Sequence, residues 1–195
     1  MRTVARVRTF VILAGVVAAL LAGCGSSSPQ PANPSAPETN PAGDIPDNQA
    51  FVPFSPPGGG FSVKVPEGWS QTRSGAATTF TDKLNAIRVE SRKAAAPLTV
   101  ARAAKTELPA LGRSVKGFTA GKVTTVQRRA GPAIELTYLA AAKPNQVTGK
   151  AGQDAVERYV FFHNGTRVVL TLSGPKGADN VDPWRIVTDS LRWTP

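Results

Sequence analysis

The stretch AVERYVFFHNGTRVVLTLSG, residues 155–174, decides the fold. Two strand-like runs, 155–163 and 166–174, flank Asn164-Gly165. Both central positions of a two-residue hairpin turn want φ > 0, which Asn and Gly supply most cheaply, so this is the strongest short hairpin signal a sequence can carry. Upstream, KVTTVQRR (122–129) and AIELTYLAAA (133–142) are strand patterns separated by Ala130-Gly131-Pro132, so a four-strand meander is expected from about 122 to 174.

Working outward, FSVKVPEGWS (61–70) places Phe61, Val63 and Val65 alternately with Ser62 and Lys64, the period of a half-buried strand. Pro66-Glu67-Gly68 then turns the chain ahead of Trp69. ATTFTD (77–82) and NAIRVESR (85–92, with Ala86, Ile87 and Val89) continue as strands. In PLTVARAAKTELPALGR (97–113) the period changes: Val100, Ala103, Ala104, Leu108 and Leu111 share a helical face, and Thr99 is a suitable N-cap. Pro109 is expected to kink that helix or end it a turn early. Asp182 as cap, Pro183 at the first helical position and PWRIVTDSLRW (183–193) predict a closing helix. The order β-β-β-α-β-β-β-β-α predicts an α+β fold, an antiparallel sheet with helices packed on it.

The other end of the chain gives an address. Arg2, Arg6 and Arg8 precede an uncharged run from Phe10 to Leu21, a basic then apolar leader of secretory type. The run is shorter than the roughly 20 apolar residues of a spanning helix. Leu21-Ala22-Gly23-Cys24 follows and matches the bacterial lipobox. Small residues before the cysteine suit an extended chain in a peptidase groove, and Cys24, the only cysteine, cannot form an internal disulfide. The expected product carries diacylglyceryl on the Cys24 thiol and an acyl group on its new amine. Each buried CH₂ contributes roughly 0.8 kcal/mol, and two chains anchor where one does not. Residues 1–23 are thus expected to be a lipoprotein signal peptide. Exported without a disulfide, the fold must depend on its core, and about 145 residues suffice for one domain.

Residues 24–57 carry Pro, Ser, Asn and Ala, with Ile45 the only large aliphatic before Phe51. Such a composition does not offset the entropy of ordering, so a disordered tether is expected there, with the globular domain at 58–195. Phe51 and Phe54 could staple its end onto the domain. The chain's net charge of +10 divides unevenly. Glu38, Asp44 and Asp47 make the tether acidic, whereas residues 51–195 hold 20 Lys and Arg against 10 Asp and Glu. A basic domain on an acidic tether suits an anionic lipid headgroup or envelope polymer. Arg92-Lys93 and Arg128-Arg129 are its only adjacent basic pairs. Export disfavours nucleic acid as a partner.

Taken together, the lipobox, the Pro-rich tether, the opening FSVKVPEGWS, the mid-chain helix, the meander with its central hairpin and the closing WRIVTDSLRW resemble the PsbP-like fold. More narrowly they resemble the LpqN-type lipoproteins of high-GC actinobacteria. That resemblance covers about 58–195. It implies an α/β/α sandwich around an antiparallel sheet, an accessory or binding role, and no catalytic residues.

The residues themselves offer little chemistry. His163, the sole histidine, precedes the hairpin turn and is expected at an exposed tip. Ser173-Gly174-Pro175-Lys176 matches Ser-x-x-Lys, but Gly and Pro in its middle oppose the helix that would hold lysine beside serine. Gly58-Gly59-Gly60 precedes a strand, so it forms no P-loop. One histidine and one lipid-bearing cysteine leave no His/Cys metal site, and no cofactor is expected. Trp69, Trp184 and Trp193 are expected in the core, the alternative being a groove for acyl chains or sugars. The leading expectation is a membrane-anchored, non-enzymatic envelope protein binding a lipid, glycan or protein partner. The alternatives are a hydrolase using Ser173 or His163, or a purely structural surface lipoprotein.

Overall fold

The computed structural model describes residues 41–144 and 152–194. Cys24 and the leader lie outside the described residues. Among the described residues there are ten strands: β1 (Phe51–Phe54), β2 (Phe61–Pro66), β3 (Ser70–Ser74), β4 (Ala77–Asp82), β5 (Asn85–Lys93), β6 (Thr119–Arg128), β7 (Gly131–Ala141), β8 (Gln153–His163), β9 (Thr166–Pro175) and β10 (Arg192–Trp193). Helix α1 (Val100–Arg102) runs through a π-helical turn (Ala103–Glu107) into α2 (Leu108–Ser114), and α3 (Val181–Asp189) lies near the C-terminus. Seven strands form an antiparallel sheet in the order β3-β4-β5-β9-β8-β7-β6, and β1-β2-β10 form a second, smaller one. The fold is α+β.

The meander is as the sequence predicts. Asn164 and Gly165 turn the chain with φ of 44° and 73°, and His163 pairs with Thr166 across the turn. The period-2 rule then sorts side chains to the two faces of the large sheet. On one face Ile87, Val89, Val168, Leu170, Leu172 and Phe161 meet Phe61, Val63 and Val65 of β2 and Trp184 and Val187 of α3. On the other, Ile134, Leu136, Val160 and Val169 meet Leu98, Ala103 and, at the rim, Leu108 and Leu111. The layers are therefore α1–α2, large sheet, and α3 with the small sheet.

Several expectations change. Residues 41–57 belong to the domain and not to a tether ending at 57. Ile45 is buried in the larger core, and β1 pairs with β2 along its full length. A lone aliphatic among prolines gives no periodicity, yet one buried side chain and a handful of hydrogen bonds hold the segment. Three strands were not expected: β1, β3 and the two-residue β10. Pro109 does not end the helix. Having no N–H, it cannot satisfy a carbonyl four residues back. The chain accommodates it with a π turn just upstream, where Leu108 N–H bonds the Ala103 carbonyl, five residues back. Thr99 caps α1 as expected, its Oγ1 accepting from Arg102 N. At α3 the cap position is Asn180, not Asp182, and the helix stops at Asp189, so that Trp193 joins β10.

Candidate functional site

Helix α3 is fixed at both ends, and its outer face is where charge collects. At its start the buried Asn180 accepts Ile45 N–H through Oδ1 (2.8 Å) and donates through Nδ2 to the Gly43 carbonyl (3.0 Å) and to Asn85 Oδ1 (3.1 Å). Asn85 also donates to the Gly43 carbonyl, at 3.0 Å. Gly174 makes room for this cluster: a Cβ there would collide with Asn85 Oδ1 and Asn180 Nδ2.

Toward its other end α3 is held from below. Arg128 donates through Nε to Thr188 Oγ1 (3.0 Å) and through Nη2 to Tyr159 OH (3.0 Å), and the Tyr159 hydroxyl donates to Glu157 Oε2 (2.7 Å). Burial raises the Glu157 carboxyl above its usual range, nearby Glu135 adds to the rise, and the Tyr159 bond and Arg128 oppose it. Burial, with the Glu157 hydrogen bond next, pushes the Tyr159 hydroxyl up. From β2, Lys64 N–H donates to Ser190 Oγ at 2.7 Å.

Buried Pro183, Trp184, Val187 and Thr188 occupy one arc of α3. At 100° per residue the opposite arc holds Val181, Asp182, Arg185, Ile186, Asp189 and Ser190. Beside that arc runs an open groove of about 540 Å³ where Lys64, Arg129, Arg185 and Arg192 converge around Ile186. Asp182 and Asp189 also line it, leaving two bases in excess. Asp189 is already engaged, 4.0 Å from Arg128 Nε and 3.9 Å from Arg185 Nε. Arg192 Nη1 already donates to the Asp189 and Leu191 carbonyls (2.9 Å each), so the groove offers an anion the Lys64 ammonium, the Arg129 guanidinium and the remaining N–H groups of Arg185 and Arg192, with Ile186 between them.

The adjacent pair Arg128-Arg129 is split where β6 ends at Arg128 and the turn begins at Arg129. Arg129 faces the groove and solvent, whereas Arg128 points under α3, its side chain only 15% exposed. The groove's four bases span residues 64 to 192, and no sequence window contains them. The legible signals are the exposed arc of a nine-residue helix and the alternation of β2.

Two further clefts are apolar. One of about 330 Å³ lies beside Trp184, over Leu139, Ala155 and Glu157. Another of about 310 Å³ lies between Leu98, Val100, Ile134 and Phe162.

The other sequence candidates are placed apart. His163 is exposed at the hairpin tip, as expected, with its ring stacked on Trp193 at 5.1 Å between centroids. Ser173 sits inside β9, between Ala86 and Val156 on the neighbouring strands. It is about 23 Å along the strand from His163's partner Thr166. The Ser173–Lys176 run is strand and turn, and Lys176 Nζ bonds Gln153 Oε1 (3.4 Å). Trp184 is in the core, and Trp69 and Trp193 pack against it. Among the described residues no group of His, Cys, Asp and Glu could hold a metal ion, and no helix is long and apolar enough to cross a membrane.

No protein-family model matches the chain, and no curated protein matches its sequence. Among solved structures, cyanobacterial PsbP (CyanoP) from Synechocystis sp. PCC 6803 superposes with a TM-score of 0.52 at 13% identity, over 80% of this chain and 100% of that one. The fold is PsbP-like. LpqN of Mycobacterium tuberculosis, described as involved in cell envelope biogenesis, matches at 14% identity and TM-score 0.47, over 76% of this chain and 93% of that one. A protein from Bacteroides thetaiotaomicron VPI-5482 matches at 15% identity and TM-score 0.47 over 73% of this chain, which spans about half of its length (48%). At these identities the likeness establishes the fold. The PsbP-like architecture puts α3 and the small sheet on one side of the large sheet, where the groove opens.

Proposed function

We propose that this chain is a cell-envelope lipoprotein, held on the outer face of the cell membrane through Cys24, that serves as a non-enzymatic accessory protein binding an anionic envelope partner. The observation that carries it is the convergence of Lys64, Arg129, Arg185 and Arg192 on one groove in a domain that follows a lipobox. Arginine forks grip phosphate or carboxylate in two-point fashion, and lysine adds a point charge. Cys24 supplies attachment: its sulfur forms a thioether to diacylglyceryl, and cleavage before it exposes an amine for a further acyl chain. Two or more chains then anchor stably.

The hydrolase alternative finds no support in the geometry. Ser173 and His163 stand far apart on one hairpin, and a nucleophile needs its base within hydrogen-bond reach.

Metabolic labelling with a fatty-acid analogue tests the anchor. Wild type is expected to incorporate label, and Cys24→Ser to incorporate none and persist as uncleaved precursor. Equal label on both proteins would refute lipidation at Cys24.

A further inference from the structure

The outer face of α3 carries more than charge. Leu84, Val100, Val181 and Ile186 are the exposed large hydrophobics among the described residues, and two of these four stand on this one helix, Val181 at 67% and Ile186 at 46% exposure. Isolated exposed aliphatics need no explanation, but here two stand on the outer arc of a helix whose apolar face is already in the core, with Lys64, Arg129, Arg185 and Arg192 around the second. Bases take the headgroup phosphates while the aliphatics enter the level below them.

The chain joins the domain at the same helix. The first described residues, Pro41 to Ile45, are fastened to its N-terminal end: Asp44 Oδ1 accepts Asp179 N–H (2.9 Å), and Gly43 and Ile45 bond Asn180. Sixteen residues lie between Cys24 and Pro41, a contour of at most roughly 60 Å. A segment of that length allows a Cys24 anchor to hold the α3 side against a bilayer.

The opposite face of the large sheet is a poorer candidate. It too has bases: Arg88 and Arg158 are held by Glu90, and Arg92 and Arg167 by Glu107, whereas the exposed Arg102, Lys105 and Arg113 are spread along its helices. One large aliphatic, Val100 on α1, stands exposed on that side, against two on α3.

We propose that α3 lies on the bilayer surface, with anionic phospholipid as the partner of its basic groove. This rests on the lipoprotein reading above and names its partner. Asp44, Asp179 and Asp182 crowd the N-terminal end of the helix, so contact centres on the basic C-terminal half and Ile186 sits deeper than Val181.

The experiment uses the mature lipidated protein in phosphatidylcholine vesicles with and without phosphatidylglycerol. Nitroxide labels go on Ile186→Cys, on Val181→Cys and, across the sheet, on Val100→Cys. Lipid caps Cys24, so each variant takes one label. With phosphatidylglycerol present, the label at 186 is expected to lose its broadening by a water-soluble nickel chelate. The label at 181 should lose less, and that at 100 none. High salt, or Lys64→Glu with Arg185→Glu, should restore the broadening at 186, because headgroup attraction is screened within a Debye length. Flotation of the vesicles reports anchoring separately. If the protein floats but the label at 186 stays fully open to the chelate in both lipids, docking is refuted while anchoring stands, and a soluble glycan or protein becomes the groove's partner. If the protein does not float, or takes a second label at Cys24, both fail.

Discussion

The two faces of the seven-stranded sheet set the same residue types to different work. On the α1–α2 side, Glu90 bridges two arginines: Oε2 accepts from Arg88 (2.8 Å) and Oε1 from Arg158 (3.1 Å). Burial alone would raise the Glu90 carboxyl, but Arg158 and Arg88 together outweigh it and hold it below its usual range. On the α3 side, Glu157 meets one arginine at a distance, a tyrosine hydroxyl and a second carboxylate, and burial wins. Two nearby guanidinium groups suffice to overcome desolvation where one, shared with Tyr159 and Thr188, does not. The faces also divide the core. Sixteen buried residues cluster on the α3 side and six on the other, so the face that carries the open groove is also the one that carries most of the fold.

The largest expected effect tests that division. Leu170 and Leu136 are both fully buried, one on each face. Leu170→Ala should cost about 4–5 kcal/mol and Leu136→Ala about 2–3, the span of large-to-small core changes, because the smaller cluster lies under a helix that can settle into the space. Urea midpoints with slopes unchanged would measure both. Equal losses would mean that the two clusters act as one core.

A smaller loss is expected from Arg158→Met. It strands Glu90 with Arg88 alone and should cost about 1.5–3 kcal/mol at neutral pH, the range for hydrogen bonds to charged groups. The sign with pH follows from the lowered Glu90 carboxyl. Its stabilisation is present above the ordinary carboxylate range and disappears as pH falls through the lowered value, so the difference between wild type and variant should shrink in acid. A difference that stays constant from neutral to acid pH would remove the charge account of this face.

The smallest effect has the opposite sign. A raised folded-state carboxyl favours the fold below the ordinary carboxylate range and loses that contribution as pH climbs through the raised value. Glu157→Gln keeps an acceptor for Tyr159 and removes the charge. It should raise stability at mildly alkaline pH by no more than about 1 kcal/mol, the partial exposure of the site screening the rest. Thermal melts across pH would show a destabilised variant if Glu157 were instead a favourable partner of Arg128.

Much of the fold was legible in the sequence because hydrophobic period and turn chemistry act locally. Asn164-Gly165 fixed the register of β8 and β9, and Thr99 marked its helix start. What could not be read has physical reasons. SQTRS (70–74) is exposed at every position on the sheet edge, so β3 owes its existence to its partner β4 and not to alternation. β10 is two residues that pair with β2 across a separation of 130 residues. Ile45 is a single side chain whose burial depends on Asn180, 135 positions away. The groove was illegible for the same reason as β3 and β10: its bases come from two strands, a turn and a helical arc that only the fold brings together. The adjacent basic pair Arg128-Arg129 is divided between the interior and the surface.

The asymmetry of the two faces is tested most directly by amide hydrogen exchange on the lipidated chain, free of vesicles in mild detergent and then on phosphatidylglycerol vesicles. If α3 is the working surface, exchange should slow further on the vesicles at Val181–Asp189, with the neighbouring segments around Lys64, Arg129 and Arg192, and stay unchanged at β3, β4 and β5. Slowing confined to β3–β5, or none anywhere while the chain remains bound, would contradict it.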